Sequence, residues 1–311
     1  MNILIIGSFM MDLVVRTPRV PKNGETIIGT SFNRFPGGKG ANQAVAASRL
    51  GGQVTMVGKV GNDTFGDEMI EALLSNHVET SNILRDDTYS TGIGSITLDE
   101  RGNNRIIVVP GANLKFTLSE LQEVEELIKN ADILLVQFEM DDKVIERAVS
   151  IADFYGVPVM VNPAPAHKVS DEFLSKITYL TPNETEAEIL TGIKVQDMEG
   201  AKRAGRILIE KGVDNVIMTL AEKGALLLTE TESTHIPGFQ VIPKDTVAAG
   251  DAFNGALAVQ ITKGISLVEG IMFANAAGAL TVTKEGAIPS LPKEKEVKEL
   301  MEKSDAFKII E

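Results

Sequence analysis

The chain has 311 residues, enough for one large α/β domain with an appendage or for two smaller domains. Its net charge of −13 opposes nucleic acid and anionic membrane, and sparse aromatics with no Trp argue against a platform for stacking bases or polysaccharide. The absence of cysteine excludes disulfides and thiolate chemistry, and no run reaches the roughly 18 apolar residues of a membrane span, so a cytoplasmic location is expected.

Residues 3–6 form a short apolar run without a charged leader, and read as a buried first strand. Residues 13–34 are strand-like with few helical signals. A glycine-rich loop at 35–43 then feeds a helix over 41–50. A strand at 54–57 and a helix at 65–74 follow. Residues 91–109 are again strand-like. Their turn-rich centre, Asp99-Glu-Arg-Gly-Asn-Asn104, between 93–98 and 105–109 predicts a hairpin. Beyond it, helical spacing at 118–128, 144–155, 200–211 and 252–263 alternates with aliphatic runs at 133–136, 157–161, 216–218 and 225–228. The charge runs near the C-terminus read as solvated helix faces.

Apolar strands alternating with amphipathic helices predict a mostly parallel sheet covered on both faces, with a ligand site beyond the carboxyl ends of its strands. The stretches 13–34 and 91–109 break the alternation. They read either as a small sheet projecting from the main body, suited to a lid or a dimer surface, or as an edge extension of the main sheet.

Two motifs carry chemistry. Phe35-Pro-Gly-Gly-Lys-Gly-Ala-Asn-Gln43 is not a P-loop, because Gly40 follows Lys39, and it lacks the last glycine of G-x-G-x-x-G. It remains a loop for close backbone approach, or merely a tight turn, with Asn42 placed to exchange hydrogen bonds with hydroxyls. Asp245-Thr-Val-Ala-Ala-Gly-Asp251 is more informative. Ala248, Ala249 and Gly250 expose backbone N–H groups at a helix N-terminus, and Asp251 falls in its first turn. A lone acid there is ordinarily a capping feature. Two aspartates bracketing an anion loop supply what phosphoryl transfer needs: a proton acceptor beside donors for the transferring group. His77, His167 and His235 are scattered without metal-ligand spacing and read as solvated or packed.

With these motifs in place, nearly the whole chain resembles the ribokinase branch of the ribokinase/fructokinase-type carbohydrate kinases. The likeness rests on Gly7-Ser8 with Asp12, Gly37-Gly-Lys-Gly-Ala-Asn-Gln43, Glu139, Asn162-Pro-Ala-Pro-Ala166, Thr181-Pro-Asn-Glu-Thr-Glu186, Asp245–Asp251 and Gly286-Ala-Ile-Pro-Ser290, in that order. It implies a three-layer α/β/α sandwich with a β-sheet lid, often shared across a homodimer. It also implies a base, Asp251, assisted by the amides of Ala248, Ala249 and Gly250, with ATP and Mg²⁺ as co-substrate and cofactor. Asp12, Gly38, Lys39, Asn42 and Glu139 would bind the sugar. Asn183 and Glu186 match an element that arranges phosphate and Mg²⁺ through water. Thr219, Lys223, Gly224 and Asn275, with Ala249 and Gly250, correspond to the nucleotide pocket. Asp245, Val247, Thr281, Lys284, Gly286 and Ser290 correspond to a K⁺ loop.

Two departures stand out. Ala221 replaces a common glycine in the nucleotide loop, a mild change if the backbone there avoids positive φ. Met10 replaces the usual asparagine two residues before Asp12. A thioether cannot bond a ribose 2-hydroxyl, so the site resembles that of a deoxyribokinase. The expected reaction is phosphorylation of the C5 hydroxyl of D-ribose or 2-deoxy-D-ribose. A related kinase for a ketohexose or nucleoside, or a catalytically silent sugar sensor, are the alternatives.

Overall fold

The computed structural model describes residues 2–304. In chain order its elements are β1 (Asn2–Ile6), β2 (Met10–Thr17), β3 (Ser31–Gly37), α1 (Lys39–Arg49), β4 (Gln53–Gly61), α2 (Thr64–Leu74), β5 (Ile83–Asp86), β6 (Gly92–Asp99) and β7 (Asn104–Val109). The next are α3 (Leu118–Glu123), α4 (Glu125–Lys129), β8 (Ile133–Gln137), α5 (Asp142–Phe154), β9 (Val159–Asn162), α6 (Asp171–Leu174), β10 (Tyr179–Leu180) and α7 (Glu184–Thr191). The last are α8 (Met198–Glu210), β11 (Asn215–Thr219), β12 (Ala225–Leu228), β13 (Ser233–Ile236), α9 (Ala249–Thr262), α10 (Leu267–Thr281) and α11 (Glu294–Lys303).

The main sheet runs β13-β12-β11-β10-β9-β8-β1-β4-β5. Its pairs are parallel except at the β11–β12–β13 edge, where they are antiparallel. β1 lies inside it, and its side chains alternate between two cores. Ile3 and Ile5 pack with α1, α9 and α10, whereas Leu4 and Ile6 pack with α5 and α8. Both faces are therefore buried, and the architecture is the three-layer sandwich expected.

The second sheet is separate from the first. Its order is β3-β2-β6-β7, with β2 and β6 parallel and the outer pairs antiparallel. The expected hairpin is β6–β7. The first strand-like stretch is shifted, because β2 starts at Met10 and β3 runs to Gly37, with irregular chain between them. β2 leaves the carboxyl end of β1 after three residues, Gly7, Ser8 and Phe9, which hangs the small sheet over the end of the large one.

Other differences have local causes. The helix read over 118–128 is broken at Val124, whose φ of −106° and ψ of 10° depart from helical values. α10 escaped the reading because its residues are apolar almost all round, with Gly270 through Ala277 buried, so it shows no polar face. α1 and α9 begin two and three residues earlier than their apolar periodicity suggested, within the glycine-rich loop and the anion loop.

Candidate active site

The site lies at the carboxyl ends of the parallel strands, beneath the small sheet. Asp251 is the third residue of α9 and only 7% exposed. Asn42 Nδ2 donates to its Oδ2 at 2.9 Å, and Gln43 Nε2 donates to its Oδ1 at 3.0 Å. Both donors come from α1, which crosses next to α9. Asn42 spends its amine on Asp251, and its buried Oδ1 has no partner among the described residues. A buried acceptor beside Asp251 is thus left without a hydrogen bond.

The N-terminus of α9 is open. Its cap residue, Ala248, sits in the left-handed region with φ 61° and offers no side-chain acceptor. Ala249 N reaches Thr246 O only at a long 3.5 Å, so the first turn of the helix can still present N–H groups to an anion. Gly250 is exposed, and a Cβ there would meet nothing within 4 Å. One turn on, Asn254 donates to Gly250 O at 2.8 Å and accepts from Thr181 Oγ1 at 2.5 Å, anchoring this turn to the sheet.

β2 supplies Met10 and Asp12 on the underside of the small sheet. Glycines stand in register beside them: Met10 lies opposite Gly37 and Gly92, and Asp12 lies beside Gly94, with Phe35 on its other side. A Cβ on Gly94 would come within 2.4 Å of Asp12 Oδ1, and one on Gly92 within 2.7 Å of Met10 Sδ. The empty space of these glycines is what the two side chains occupy. Gly38, the cap residue of α1, has φ 91°, and a Cβ there would lie 2.6 Å from Met10 N, so loop and strand meet backbone to backbone. Glu139, just after β8, accepts from Ser8 Oγ at 2.5 Å and from Lys39 N at 3.0 Å, and so caps α1 from across the site.

The charges converge. Burial, then Glu139 and Asp251, raise the Asp12 pKa to about 7, with Lys39 opposing. Burial works against the Lys39 ammonium, yet Asp251, Glu139, Glu186 and Asp12 together hold its pKa above the ordinary range. Glu186 is also raised, by burial first and by Asp251, against the Asn183 N–H and Lys39. One ammonium among four carboxylates leaves the cluster anionic.

Asn183 and Glu186 form a reciprocal capping box at the start of α7, with both bonds at 2.8 Å. This engages only one Glu186 oxygen. Asn183 bridges to Thr219, the last residue of β11. Lys223 and Gly224 lie in the following turn, and Asn275 from α10 donates to Ile236 O and Pro237 O at 3.2 Å each. A Cβ on Gly224 would lie 2.2 Å from Ile236 O, so this turn and the Asn275 contact adjoin. Ala221 corrects an expectation: its φ is +49°, so alanine carries the strain that glycine would avoid.

Asp245 accepts from Val247 N at 3.1 Å and from Gly286 N at 3.0 Å, binding the anion loop to the 281–290 loop. Thr281 O accepts from Lys284 N, Lys284 pairs with Glu296, and Ser290 folds back on Ala287 O. Sequence reasoning missed Gln43, Gln137 and Asn254 as site-forming residues. Gln43 sat inside a motif already quoted, but nothing in the sequence pairs it with Asp251.

The model of the pfkB family of carbohydrate kinases matches residues 1–294. A ribokinase of Haemophilus influenzae is 40% identical over 301 residues, covering 97% of this chain and 98% of that one. A deoxyribokinase of Salmonella typhi is 36% identical over 293 residues, covering 94% and 96%. The structure of Arabidopsis thaliana ribokinase complexed with ribose and ATP superposes with a TM-score of 0.91 at 33% identity, covering 97% of this chain and 99% of that one.

Proposed function

This chain belongs to the pfkB family of carbohydrate kinases, and from that premise we propose that Asp251 is the base of an ATP-dependent pentose kinase. The protein transfers the γ-phosphoryl group of ATP to the C5 hydroxyl of D-ribose or 2-deoxy-D-ribose. Asp251 takes the hydroxyl proton, the hydroxyl oxygen bonds to the γ-phosphorus, and the bond to the ADP oxygen breaks. The observation that carries this reading is a buried carboxylate, gripped by two amides, at the open N-terminus of α9.

The amides of Ala249 and Gly250 suit the transferring group, and the open space before Gly250 lets it approach the backbone. Asp12, Lys39, Asn42 and Glu139 surround the same point and suit a polyol. The free Asn42 oxygen accepts a hydroxyl, and the Asp12 carboxylate accepts others. Thr219, Lys223, Gly224 and Asn275 are the proposed nucleotide contacts.

An anionic cluster cannot receive a polyphosphate without a cation. The uncommitted Glu186 oxygen fits a water-mediated Mg²⁺, which would neutralise the phosphates when bound. The carbonyls of the adjoining 245–247 and 281–290 loops are hard oxygen donors of the kind K⁺ takes, and ordering by K⁺ would stiffen the anion loop. We expect the enzyme to work in the cytoplasm.

For Met10, buried at 5% exposure with its sulfur 4.0 Å from Asn113 Nδ2, we propose a preference for 2-deoxyribose, since the sulfur offers C2 an apolar neighbour. ADP release should be measured on D-ribose, 2-deoxy-D-ribose, fructose and adenosine. The two pentoses should dominate, and Met10→Asn should shift kcat/KM toward ribose by about tenfold, the worth of one recovered hydrogen bond. An unchanged ratio would dismiss the role of Met10, and turnover mainly on fructose or adenosine would dismiss the pentose reading.

A further inference from the structure

We propose that Gln43 and Gln137 are positioning residues that fix the catalytic carboxylate through a buried chain of amides, an inference that rests on Asp251 being the base. Gln137, the last residue of β8, donates from Nε2 to Gln43 Oε1 at 2.7 Å. Gln43 Nε2 then donates to Asp251 Oδ1 at 3.0 Å and to Asn162 Oδ1, at the end of β9, at 3.1 Å. Gln43 and Gln137 are fully buried, and Asn162 is 7% exposed.

The direction of every bond follows from its end. A carboxylate only accepts, so Gln43 must turn its amine toward Asp251 and its carbonyl toward Gln137. Gln137 must then present its own amine. Both hydrogens of the Gln43 amine are engaged, which leaves it one orientation.

The arrangement carries a cost. Gln137 Oε1 is buried and has no partner among the described residues, so its desolvation goes uncompensated. Gly7 makes room for it, because a Cβ there would sit 2.3 Å from that oxygen and 2.8 Å from Gly40 Cα. Neither glutamine belongs to the polyol or nucleotide sets. The chain thus references the base to two adjacent strand ends, independently of the lid and of bound sugar. Asn42 holds the other oxygen of Asp251 but also belongs to the proposed sugar set, whereas Gln43 and Gln137 do not.

The test compares Gln43→Met and Gln137→Met, which keep side-chain bulk and remove the amides, in wild-type and Asp251→Asn backgrounds. We expect Gln43→Met to lower kcat by about 30-fold and Gln137→Met by about 5-fold, each with a sugar KM within about threefold of wild type, because misplacing a reacting group affects turnover more than binding. In the Asp251→Asn background neither should lower the residual rate further. A kcat within about twofold of wild type for Gln43→Met, or an equal loss in both backgrounds, would overturn the proposal. If Gln43→Met does not fold, Gln137→Met decides by the same criteria. Full turnover of Asp251→Asn would instead defeat the assignment of the base.

Discussion

Asp12 is the residue at which the site's electrostatics become measurable. Its pKa is raised from 3.8 to about 7, first by burial and then by Glu139 and Asp251. The fold therefore favours the neutral acid: this group's contribution to stability is full below pH 3.8 and is lost as pH rises through 7. The sugar-binding role proposed for Asp12 has the opposite need, since only the carboxylate accepts from hydroxyls with both oxygens. We expect kcat/KM for the sugar to fall about tenfold per pH unit below pH 7, and Asp12→Asn to lower it at pH 8 while removing that limb. A profile that is flat from pH 5.5 to 8 in the wild type would contradict this. The importance of Asp12 was legible only through its place in a familiar motif. Its raised pKa was not, because the cause lies in Glu139 and Asp251, which are remote in sequence. Of the glycines that clear its space, Gly37 lay in the glycine-rich motif, whereas Gly94 looked like an ordinary strand residue for the same reason.

At the scale of elements, legibility followed periodicity. β1, β8 and α5 show plain patterns and appear where they were read. α10 is apolar on all sides, and the 118–128 segment keeps helical spacing across a break that only the backbone reveals. The turn between β11 and β12 shows the same limit: Ala221 gives no sign of its φ of +49°. A left-handed residue with a Cβ costs about 1 kcal/mol or more. We therefore expect Ala221→Gly to stabilise the protein by about 1 kcal/mol, raising Tm by about 2 °C, with no loss of ATP affinity. Thermal melting checks this, and an unchanged or lower Tm would show that the strain is absorbed elsewhere. Asn183 and Glu186 form a motif for which we propose a second use. Their spacing makes a capping box, the bland reading available from sequence, and the box uses only one Glu186 oxygen.

At the scale of the molecule, the main sheet presents strand ends and the small sheet covers them. The outer strand of that small sheet carries a run of exposed apolar residues. Ile106, Ile107, Val108 and Val109 are all exposed, Ile107 at 68%, and Phe32 on the opposite edge strand is 59% exposed. Consecutive apolar residues on an open edge invite a second sheet. We propose that two copies of this chain meet there. The doubly substituted Ile107→Lys/Val109→Lys protein should sediment as a monomer and the wild type as a dimer, with a raised KM for sugar in the variant because the small sheet loses its support. Identical sedimentation of the two proteins would remove the small sheet from the interface.

The convergence of these parts on one carboxylate is the central claim. Asp251→Asn keeps the shape of the site and cannot accept the hydroxyl proton. Its kcat should fall by about 10²- to 10⁴-fold, the usual worth of a general base, while ATP and sugar still bind at near wild-type affinity by calorimetry. Turnover within about tenfold of wild type, with both ligands bound, would contradict the account.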